Sequence, residues 1–340
     1  MTNAVGVVVI GRNEGERLVR CLASLHGLAG ARVYVDSGSS DESVEIARNA
    51  GAEVVELDPA RPFTAARARN EGLDRLLALY PQTRLVQFVD GDCELQPEWI
   101  DVAKGFLEAH SDVAIACGRR RERQPGASRY NRLADLEWNT PIGETAACGG
   151  DAMMRIDALR RVGGFDARMI AGEEPELCLR IRGAGYRVVR LDHEMTLHDA
   201  AMFRFGQWWR RAVRAGHAYA ECAWMHGRSP ERFRVKELRS ILFWAGALPL
   251  MALTATPATG GASLFLFGGY PLLALRVHRH RMRAGDAAGD AALYAAACVV
   301  GKFAELEGVV RFGWSWLLRG RRTELIEYKE PGILRSGPSH

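Results

Sequence analysis

The first 120 residues alternate short apolar runs with segments of helical periodicity. Residues 5–10 form an apolar, β-branched run, and residues 14–25 place Leu18, Cys21 and Leu22 on one helical face. Further strands are predicted at 32–35, 53–57, 85–89 and 113–117, and further helices at 39–49, 64–80 and 97–110. This alternation favours an α/β fold in which a mostly parallel sheet carries helices on both faces.

The hydrophobic pattern changes in the last third of the chain. Residues 240–275 contain no charged side chain, and Pro257 and Gly260-Gly261 divide them into two apolar pieces. A membrane-spanning helix needs about 20 apolar residues, with about 17 as a lower limit, so the first piece reaches the limit and the second is marginal. Basic residues precede and follow these pieces, namely Arg232, Arg234, Lys236, Arg239, Arg276, Arg279, Arg281 and Arg283.

This apolar pair with basic flanks predicts a membrane-associated helical hairpin whose two ends are both cytoplasmic. The alternative is a buried pair of helices in a soluble protein. Residues 291–310 carry Lys302, Glu305 and Glu307, which favours an interfacial or packed helix for that stretch.

Composition and charge narrow the class of protein. The chain has 340 residues, of which 48% are hydrophobic and 25% charged, as is usual for a folded protein. Its net charge of +4 gives no support for a nucleic-acid partner. Its seven cysteines are scattered without a CxxC pair, which favours reduced thiols in the cytosol. The first apolar run is short and follows no basic region, so we expect it to be a strand and not a signal peptide.

Acidic residues end two of the predicted strands. The strand at 85–89 runs into Asp90 and Asp92, and the strand at 32–35 ends at Asp36. Ligands of such sheets bind outside the carboxyl ends of the strands. Two carboxylates on alternate residues suit a divalent cation such as Mg²⁺ or Mn²⁺, and a plain turn is the alternative. Beyond Asp36, Ser39 and Glu42 have the spacing of a helix capping box.

Two common phosphate-binding loops are missing from the sequence. The segment GRNEGERL after the first strand does not match G-x-G-x-x-G, and G-x-x-x-x-G-K-[ST] does not occur. A bound phosphate would therefore have to be neutralised by a metal ion and by arginine.

Several motifs occur in the order found in one enzyme family. These segments are VVVIGRNEGERLVRCLASL, VYVDSGSSDES, ARARNEGL, FVDGDCEL, GGDAMMRIDALRRVGGFD and AGEEPELCLRIRGAGYRV. Over about residues 4–215 the chain resembles family 2 glycosyltransferases, which have the GT-A fold. We therefore expect a GT-A domain at 1–215, a basic linker or helix at 216–239 and a helical, membrane-associated region at 240–340.

The resemblance implies roles for the residues of the donor site. Asp36 is expected to contact the base or ribose of the nucleotide, and Arg69 of the ARN segment to help bind the nucleotide. Asp90 is expected near the ribose and the metal, and Asp92 as a metal ligand. For Arg69 the alternative is a solvated helix residue.

Two further positions are implied near the sugar and the metal. Asp151, in ACGGDAMM, is expected to contact a sugar hydroxyl. His193 and His198 follow the strand predicted at 187–191, where a histidine can complete the metal shell or contact the diphosphate. Here the alternative is a satisfied surface histidine.

The acceptor hydroxyl requires a general base on the opposite face of the sugar. Glu173 and Glu174 precede Pro175, which suits the first turn of a helix, and the resemblance implies that Glu174 is the base, with Glu173 as the second candidate. The usual family pattern is Glu-Asp, so Glu174 departs from it by one methylene. The alternative is that both carboxylates only stabilise the helix N-terminus.

The expected function is metal-assisted transfer of a sugar, with inversion, from a nucleotide-sugar donor to an acceptor hydroxyl. The acceptor is expected to be a glycan or lipid-linked molecule of the cell envelope, and the enzyme to lie on the cytoplasmic face of a membrane. A nucleotidyltransferase of similar fold and a catalytically inactive membrane scaffold are the alternatives.

Overall fold

The structure, a computed structural model, describes residues 5–25 and 31–319. These form two compact units, the first made of residues up to 123 together with 138–201, and the second of 124–137 together with 202–319. This division differs from the expected segments, because the second unit begins before residue 215 and also takes in residues 124–137. Residues 320–340, the end of the expected C-terminal region, lie outside the described residues.

All described strands belong to the first unit and to one mixed sheet. They are β1 (Val5–Gly11), β2 (Arg32–Asp36), β3 (Glu53–Glu56), β4 (Leu85–Asp90), β5 (Cys93–Leu95), β6 (Val113–Glu122), β7 (Gly143–Glu144), β8 (Ala152–Arg155) and β9 (Arg187–His198). Their order is β3-β2-β1-β4-β8-β6-β9-β5, and β7 pairs with β9. The sheet thus contains every strand predicted from the alternation, and it also contains β5, β7, β8 and β9.

The helices of the chain are distributed over both units. In the first unit they are α1 (Glu16–Ser24), α2 (Ser43–Asn49), α3 (Ala65–Leu79), α4 (Trp99–Ala109), α6 (Ile156–Val162) and α7 (Glu173–Gly183). Between α4 and α6 in sequence lies α5 (Arg129–Trp138), most of which belongs to the second unit. The second unit continues with α8 (Phe205–His226), α9 (Val235–Ile241), α10 (Leu248–Thr254), α11 (Gly269–Arg283) and α12 (Ala288–Arg319).

Only part of the sheet is parallel. Strands β1 to β4 pair in parallel, as predicted, but β8 lies antiparallel between β4 and β6. The backbone amide of Asp90, at the carboxyl end of β4, donates to Asp151 Oδ1, just before β8 begins. Because β8 starts at the carboxyl end of β4, it has to run back along it. The expectation of a mostly parallel sheet therefore holds for β1 to β4 and for the pair β6 and β9, but not for the whole sheet.

The core of the first unit lies between the sheet and its helices. Val8 of β1 and Val35 of β2 are fully buried beneath α3. A Cβ atom at Gly72 of α3 would lie 2.4 Å from a methyl carbon of Val8 and 2.8 Å from one of Val35. Glycine at this position therefore lets α3 approach the parallel strands closely, which fixes where the side chains of α3 meet the carboxyl edge.

The start of α2 differs from the predicted capping box. The helix begins at Ser43, and Glu42 at the N-cap makes no side-chain capping bond. The Ser39 hydroxyl instead donates to Asp36 Oδ1 at 2.5 Å and accepts from the backbone amide of Asn13. Ser39, which its spacing predicted to cap the helix, is thus bound to the buried Asp36 carboxylate at the end of β2.

In the second unit, α8 and α12 cross at a close contact between glycines. A Cβ atom at Gly216 would lie 2.0 Å from the Glu305 carbonyl oxygen, and one at Gly308 would lie 2.0 Å from that of Val213. The residues expected to form a linker at 216–239 are therefore the second half of α8 together with α9. Residues 291–310 lie within α12, where Ala291 and Ala304 are fully buried, as expected for a packed helix.

The apolar segment 240–275 lies in two helical stretches, in which α9 continues through a π-helical turn into α10 and a 3₁₀ helix continues into α11. A π-helical turn occupies Leu242–Ala247, α10 is seven residues long, and a 3₁₀ helix at Ala262–Gly268 precedes α11. Within residues 5–25 and 31–319, no helix combines the length and the apolar character needed to cross a membrane. The hairpin of spanning helices expected at 240–275 is therefore not found.

A buried histidine lies at the centre of the second unit. His217 of α8 is fully buried and packs edge-on against Phe312 of α12, with ring centroids 5.3 Å apart. Neither ring nitrogen has a hydrogen-bond partner among the described residues, although Nδ1 lies 3.7 Å from Glu221 Oε2. Burial, assisted by the charge of Arg214, lowers the pKa of His217 from 6.5 to about 4.

We predict that His217 makes stability depend on pH between 6.5 and about 4. Above this pH window His217 is neutral in both the folded and the unfolded protein. Within it the unfolded chain takes up the proton first, so the free energy of unfolding falls as the pH falls, by up to about 3 kcal/mol. His217→Phe, which keeps an aromatic ring against Phe312, should remove this part of the dependence. Urea titrations at several pH values check it, and equal pH slopes for the two proteins would contradict it.

Candidate active site

The carboxylate at the end of β2 organises the loop that follows it. Asp36 is buried, and its Oδ2 accepts hydrogen bonds from the backbone amides of Gly38 and Ser39 at 2.9 and 2.8 Å. Its Oδ1 accepts from the Tyr34 hydroxyl at 3.1 Å. This loop is also bound to the loop after β1, because the backbone amide of Ser40 donates to Asn13 Oδ1. Asp36 thus shapes the edge of the sheet, and its contact with a nucleotide stays a prediction.

Arg69 joins the end of β4 to the start of α7. Its guanidinium donates to Asp90 Oδ1 and to Glu173 Oε1, both at 2.8 Å, and it packs over the Phe165 ring. The side chain is only 3% exposed, so Arg69 is not a solvated helix residue. Burial lowers the pKa of Arg69, but the charges of Asp90 and Glu173 outweigh this effect and raise the pKa above its usual value. The positively charged Arg69 guanidinium therefore lies between two of the predicted acidic residues.

Asp151 and Arg120 complete this group of charges. Asp151 has no exposed surface, and its Oδ2 accepts from the Thr196 hydroxyl and pairs with Arg120 Nη2, both at 2.8 Å. Arg120 also pairs with Asp90 Oδ2 at 3.2 Å. A Cβ atom at Gly150 would lie 2.5 Å from Asp90 Oδ2, so a side chain at this position would displace the paired groups. Asp151 positions Asp90 and Arg120 here, and its contact with a sugar hydroxyl stays a prediction.

A second group of side chains lies at β5 and the end of β9. Asp92 is buried, and its Oδ2 lies 3.1 Å from His198 Nε2. The other ring nitrogen of His198 lies 3.6 Å from Glu122 Oε2. The Cys93 thiol is close enough for Asp92, Cys93 and His198 to hold one ion. Burial raises the pKa of Cys93 well above its usual value, so its protonated sulfur is a poor ligand for a hard cation.

The structure separates the two aspartates of the D-x-D segment. Both oxygens of Asp90 pair with arginine, whereas Asp92 faces His198. Asp92 and His198 offer a carboxylate oxygen and an imidazole nitrogen from a buried position, and this donor set fits a divalent metal ion.

His193 lies in a different environment from His198. Both belong to β9, which continues well beyond the strand predicted at 187–191. His193 Nδ1 is 2.9 Å from its neighbour's carbonyl oxygen at Glu194, and Nε2 is 3.7 Å from Glu98 Oε2. Of the two histidines considered from the sequence, only His198 is grouped with Asp92.

The two acids at the start of α7 have different partners. The helix begins at Glu173, two residues before Pro175, because Gly172 adopts a left-handed conformation at the N-cap. Glu173 pairs with Arg69, while Glu174 Oε1 accepts hydrogen bonds from the Cys148 backbone amide and from the Cys178 thiol. Glu174 is half-buried and has no ion pair among the described residues. Of the two, Glu174 is therefore the carboxylate that is not neutralised by a neighbouring cation.

Sequence reasoning missed Arg120 and the pair Cys148 and Cys178. A signal for Arg120 existed, since an apolar strand that continues into three consecutive arginines must turn some of them inward. The cysteines gave no such signal, because they are 30 residues apart and meet only through the packing of α7 against the loop before β8.

Comparison with known proteins identifies the family that the first unit resembles. Residues 6–163 match the family described as Glycosyl transferase family 2. The pre-mycofactocin glycosyltransferase of Mycobacterium tuberculosis is 29% identical over 218 residues, which are 57% of this chain and 44% of that protein. The succinoglycan biosynthesis protein ExoA of Rhizobium meliloti is 31% identical over 186 residues, covering 50% of this chain and 54% of that protein. This chain thus spans about half the length of these curated relatives.

Among solved structures, a mannosyltransferase from Pyrobaculum calidifontis, in complex with GDP-Man and Mn²⁺, is similar with a TM-score of 0.62. The two are 21% identical, and the match covers 92% of this chain and 87% of the other. This likeness confirms the predicted α/β fold with a central sheet flanked by helices. The family match confirms the predicted enzyme class, a glycosyltransferase, for the segment 6–163.

Proposed function

We propose that the protein transfers a sugar from a nucleotide-sugar donor to an acceptor hydroxyl, with inversion at the anomeric carbon and with help from a divalent metal ion. The observation that carries the proposal is the link made by Arg69. It joins Asp90, at the carboxyl end of β4, to Glu173, at the start of the helix that also carries Glu174. A donor diphosphate at the strand ends and a base on α7 would therefore belong to one site.

Asp92 and His198 would hold the metal ion. A mixed oxygen and nitrogen donor set suits Mn²⁺ better than Mg²⁺, which is bound almost wholly by oxygen. When bound there, the ion would supply Lewis-acid stabilisation of the diphosphate leaving group. Asp90, already paired with Arg69 and Arg120, would orient the ribose. The two arginines would add positive charge beside the phosphates.

Glu174 would accept the proton of the acceptor hydroxyl. Its hydrogen bonds among the described residues all go to Oε1, from the Cys148 amide and the Cys178 thiol. This arrangement fixes the carboxylate while leaving Oε2 for the acceptor. Glu173 is a weaker candidate, because its Oε1 is engaged in the ion pair with the buried Arg69 guanidinium.

We also propose that the protein acts on a polysaccharide or lipid-linked acceptor of the cell envelope, at the cytoplasmic surface of a membrane. The name of the relative in succinoglycan biosynthesis supports such an acceptor. In the second unit several large apolar side chains are exposed, including Leu250, Leu253, Phe265 and Leu272, with Phe265 at 88%. Exposed arginines follow on α11, at Arg276, Arg279 and Arg283. Together they suit an interfacial contact with a bilayer that contains anionic lipids.

We predict that Asp92→Ala abolishes Mn²⁺-dependent binding of nucleoside diphosphate, since loss of a metal ligand leaves His198 alone. A thermal-shift titration of GDP and UDP, with and without Mn²⁺, measures it. Asp112→Ala, which removes an exposed ion pair with Arg187, is the control and should bind like the unaltered protein. Unchanged Mn²⁺-dependent affinity in Asp92→Ala would refute the metal role.

We predict that Glu174→Gln retains donor binding but loses transfer by about 10²–10⁴-fold, the usual cost of removing a general base. Donor hydrolysis and transfer to oligosaccharide acceptors, each measured with Mn²⁺, give the rates. Glu173→Gln breaks the Arg69 pair and should instead lower the unfolding temperature. The assignment is wrong if Glu174→Gln is active and Glu173→Gln is not. Complete absence of donor turnover in the unaltered protein would favour the inactive scaffold.

We predict that Phe265→Glu combined with Leu272→Glu reduces co-sedimentation with vesicles containing anionic lipid, because both changes place charge on an apolar surface. Val19→Glu, at an exposed apolar position of the first unit, is the matched control and should sediment normally. High-salt washing separates apolar from purely electrostatic attachment. If the unaltered protein does not sediment with any vesicles, membrane attachment is disproved.

A further inference from the structure

A second group of metal-capable side chains lies beside α7, apart from Asp92 and His198. It consists of the Cys148 and Cys178 thiols and the Glu174 carboxylate, whose potential ligand atoms all lie within 4.8 Å of one another. The two sulfur atoms are 3.6 Å apart, and Cys178 Sγ is 3.3 Å from Glu174 Oε1. Three side chains from two separate segments thus converge on one point.

The sulfur–sulfur separation and the separation of Cys178 Sγ from Glu174 Oε1 are close to those around a tetrahedral zinc ion. With Zn–S bonds of about 2.3 Å and a Zn–O bond of about 2.1 Å, two sulfur ligands lie about 3.8 Å apart and a sulfur and an oxygen about 3.6 Å apart. The observed separations are within about 0.3 Å of these values. A disulfide, by contrast, requires the sulfurs to approach to about 2.05 Å, so the pair would have to move by about 1.5 Å.

The chemistry of the donors distinguishes this group from the one at Asp92. Thiolates select soft or borderline cations, whereas carboxylates suit Mg²⁺ and Mn²⁺. Burial raises the pKa of the Cys148 thiol well above its usual value. At neutral pH a protonated, buried thiol reacts slowly with oxidants, and a bound cation is what would draw the protons off.

We propose that Cys148, Cys178 and Glu174 form a site for a thiophilic divalent cation such as Zn²⁺, and that its occupation inactivates the enzyme. Binding forms two metal–sulfur bonds and one metal–oxygen bond, and the two thiol protons pass to solvent. A water molecule completes the tetrahedron, as in zinc sites with three protein ligands. Inactivation rests on the proposed role of Glu174 as base, because a carboxylate whose Oε1 is bound to a cation is a weaker base at Oε2. Cation binding itself does not depend on that role.

Titration of the full-length protein with Co²⁺, in the presence of a phosphine reductant, tests the site directly. One Co²⁺ per chain should produce a thiolate-to-metal charge-transfer band, with release of about two protons, and Zn²⁺ should abolish the band. Cys148→Ser and Cys178→Ser should each lose most of it. Cys298→Ser and Cys93→Ser should keep it, the latter because it removes the only sulfur of the Asp92 group. A band that survives in Cys148→Ser, or none in the unaltered protein, overturns the proposal.

Glu174→Gln provides a test that keeps both thiols. It should bind Co²⁺ at least about tenfold more weakly while its unfolding temperature stays close to that of the unaltered protein. Unchanged affinity would remove Glu174 from the ligand set and overturn the proposal.

Transfer assays then separate this proposal from the function on which its effect rests. With excess Mn²⁺, Zn²⁺ should inhibit the unaltered protein and Cys298→Ser, and should inhibit Cys148→Ser at least about tenfold less, relative to its own uninhibited rate. A charge-transfer band without any transferase activity would contradict the proposed function and leave the cation site standing. Inhibition that is equal in Cys148→Ser would place the inhibitory cation elsewhere and overturn the proposal.

Discussion

The geometry of the first unit depends on the pairing of two arginines, one buried and one largely buried, with three carboxylates. Arg69 bridges Asp90 and Glu173, and Arg120 bridges Asp90 and Asp151. Removing one partner of such a buried pair leaves an uncompensated charge, which typically costs about 3–5 kcal/mol. The network therefore ties together a strand end, a loop and a helix start that share no local sequence.

The loop before β8 connects this charge network to the acid on α7. Gly150 passes so close to Asp90 that a side chain would clash, and Asp151 is fully buried against Arg120. Two residues earlier the Cys148 amide donates to Glu174. A single loop thus sets the position of both the donor-side carboxylate and the candidate base. The same loop brings a thiol to Glu174, which makes that carboxylate the point where transfer and inhibition by a thiophilic cation would meet.

The second unit combines tight internal packing with an unusually apolar exterior. Gly216 and Gly308 allow α8 and α12 to approach to backbone contact, and His217 is buried with them. Phe265 and Leu272, by contrast, are largely exposed. Single exposed apolar residues are common, and it is their number in this unit that supports the proposed interfacial contact. Burying an uncharged histidine and exposing a phenylalanine both cost free energy, and the proposed membrane contact would relieve only the second cost.

The sequence alone determined the alternating strands and helices, the strand-end position of Asp36 and Asp90, and the family resemblance, because hydrophobic periodicity and ordered motifs are local properties. Tertiary structure decided the antiparallel course of β8, the pairing of Ser39 with Asp36 instead of a helix cap, and the separation of Asp90 from Asp92 by arginine contacts. It also decided that the uncharged run at 240–275 takes up a π-helical turn and a 3₁₀ helix beside its α-helical parts. These outcomes depend on which distant groups share a buried volume. The contact between Cys148 and Cys178 therefore could not be predicted from their spacing in the sequence.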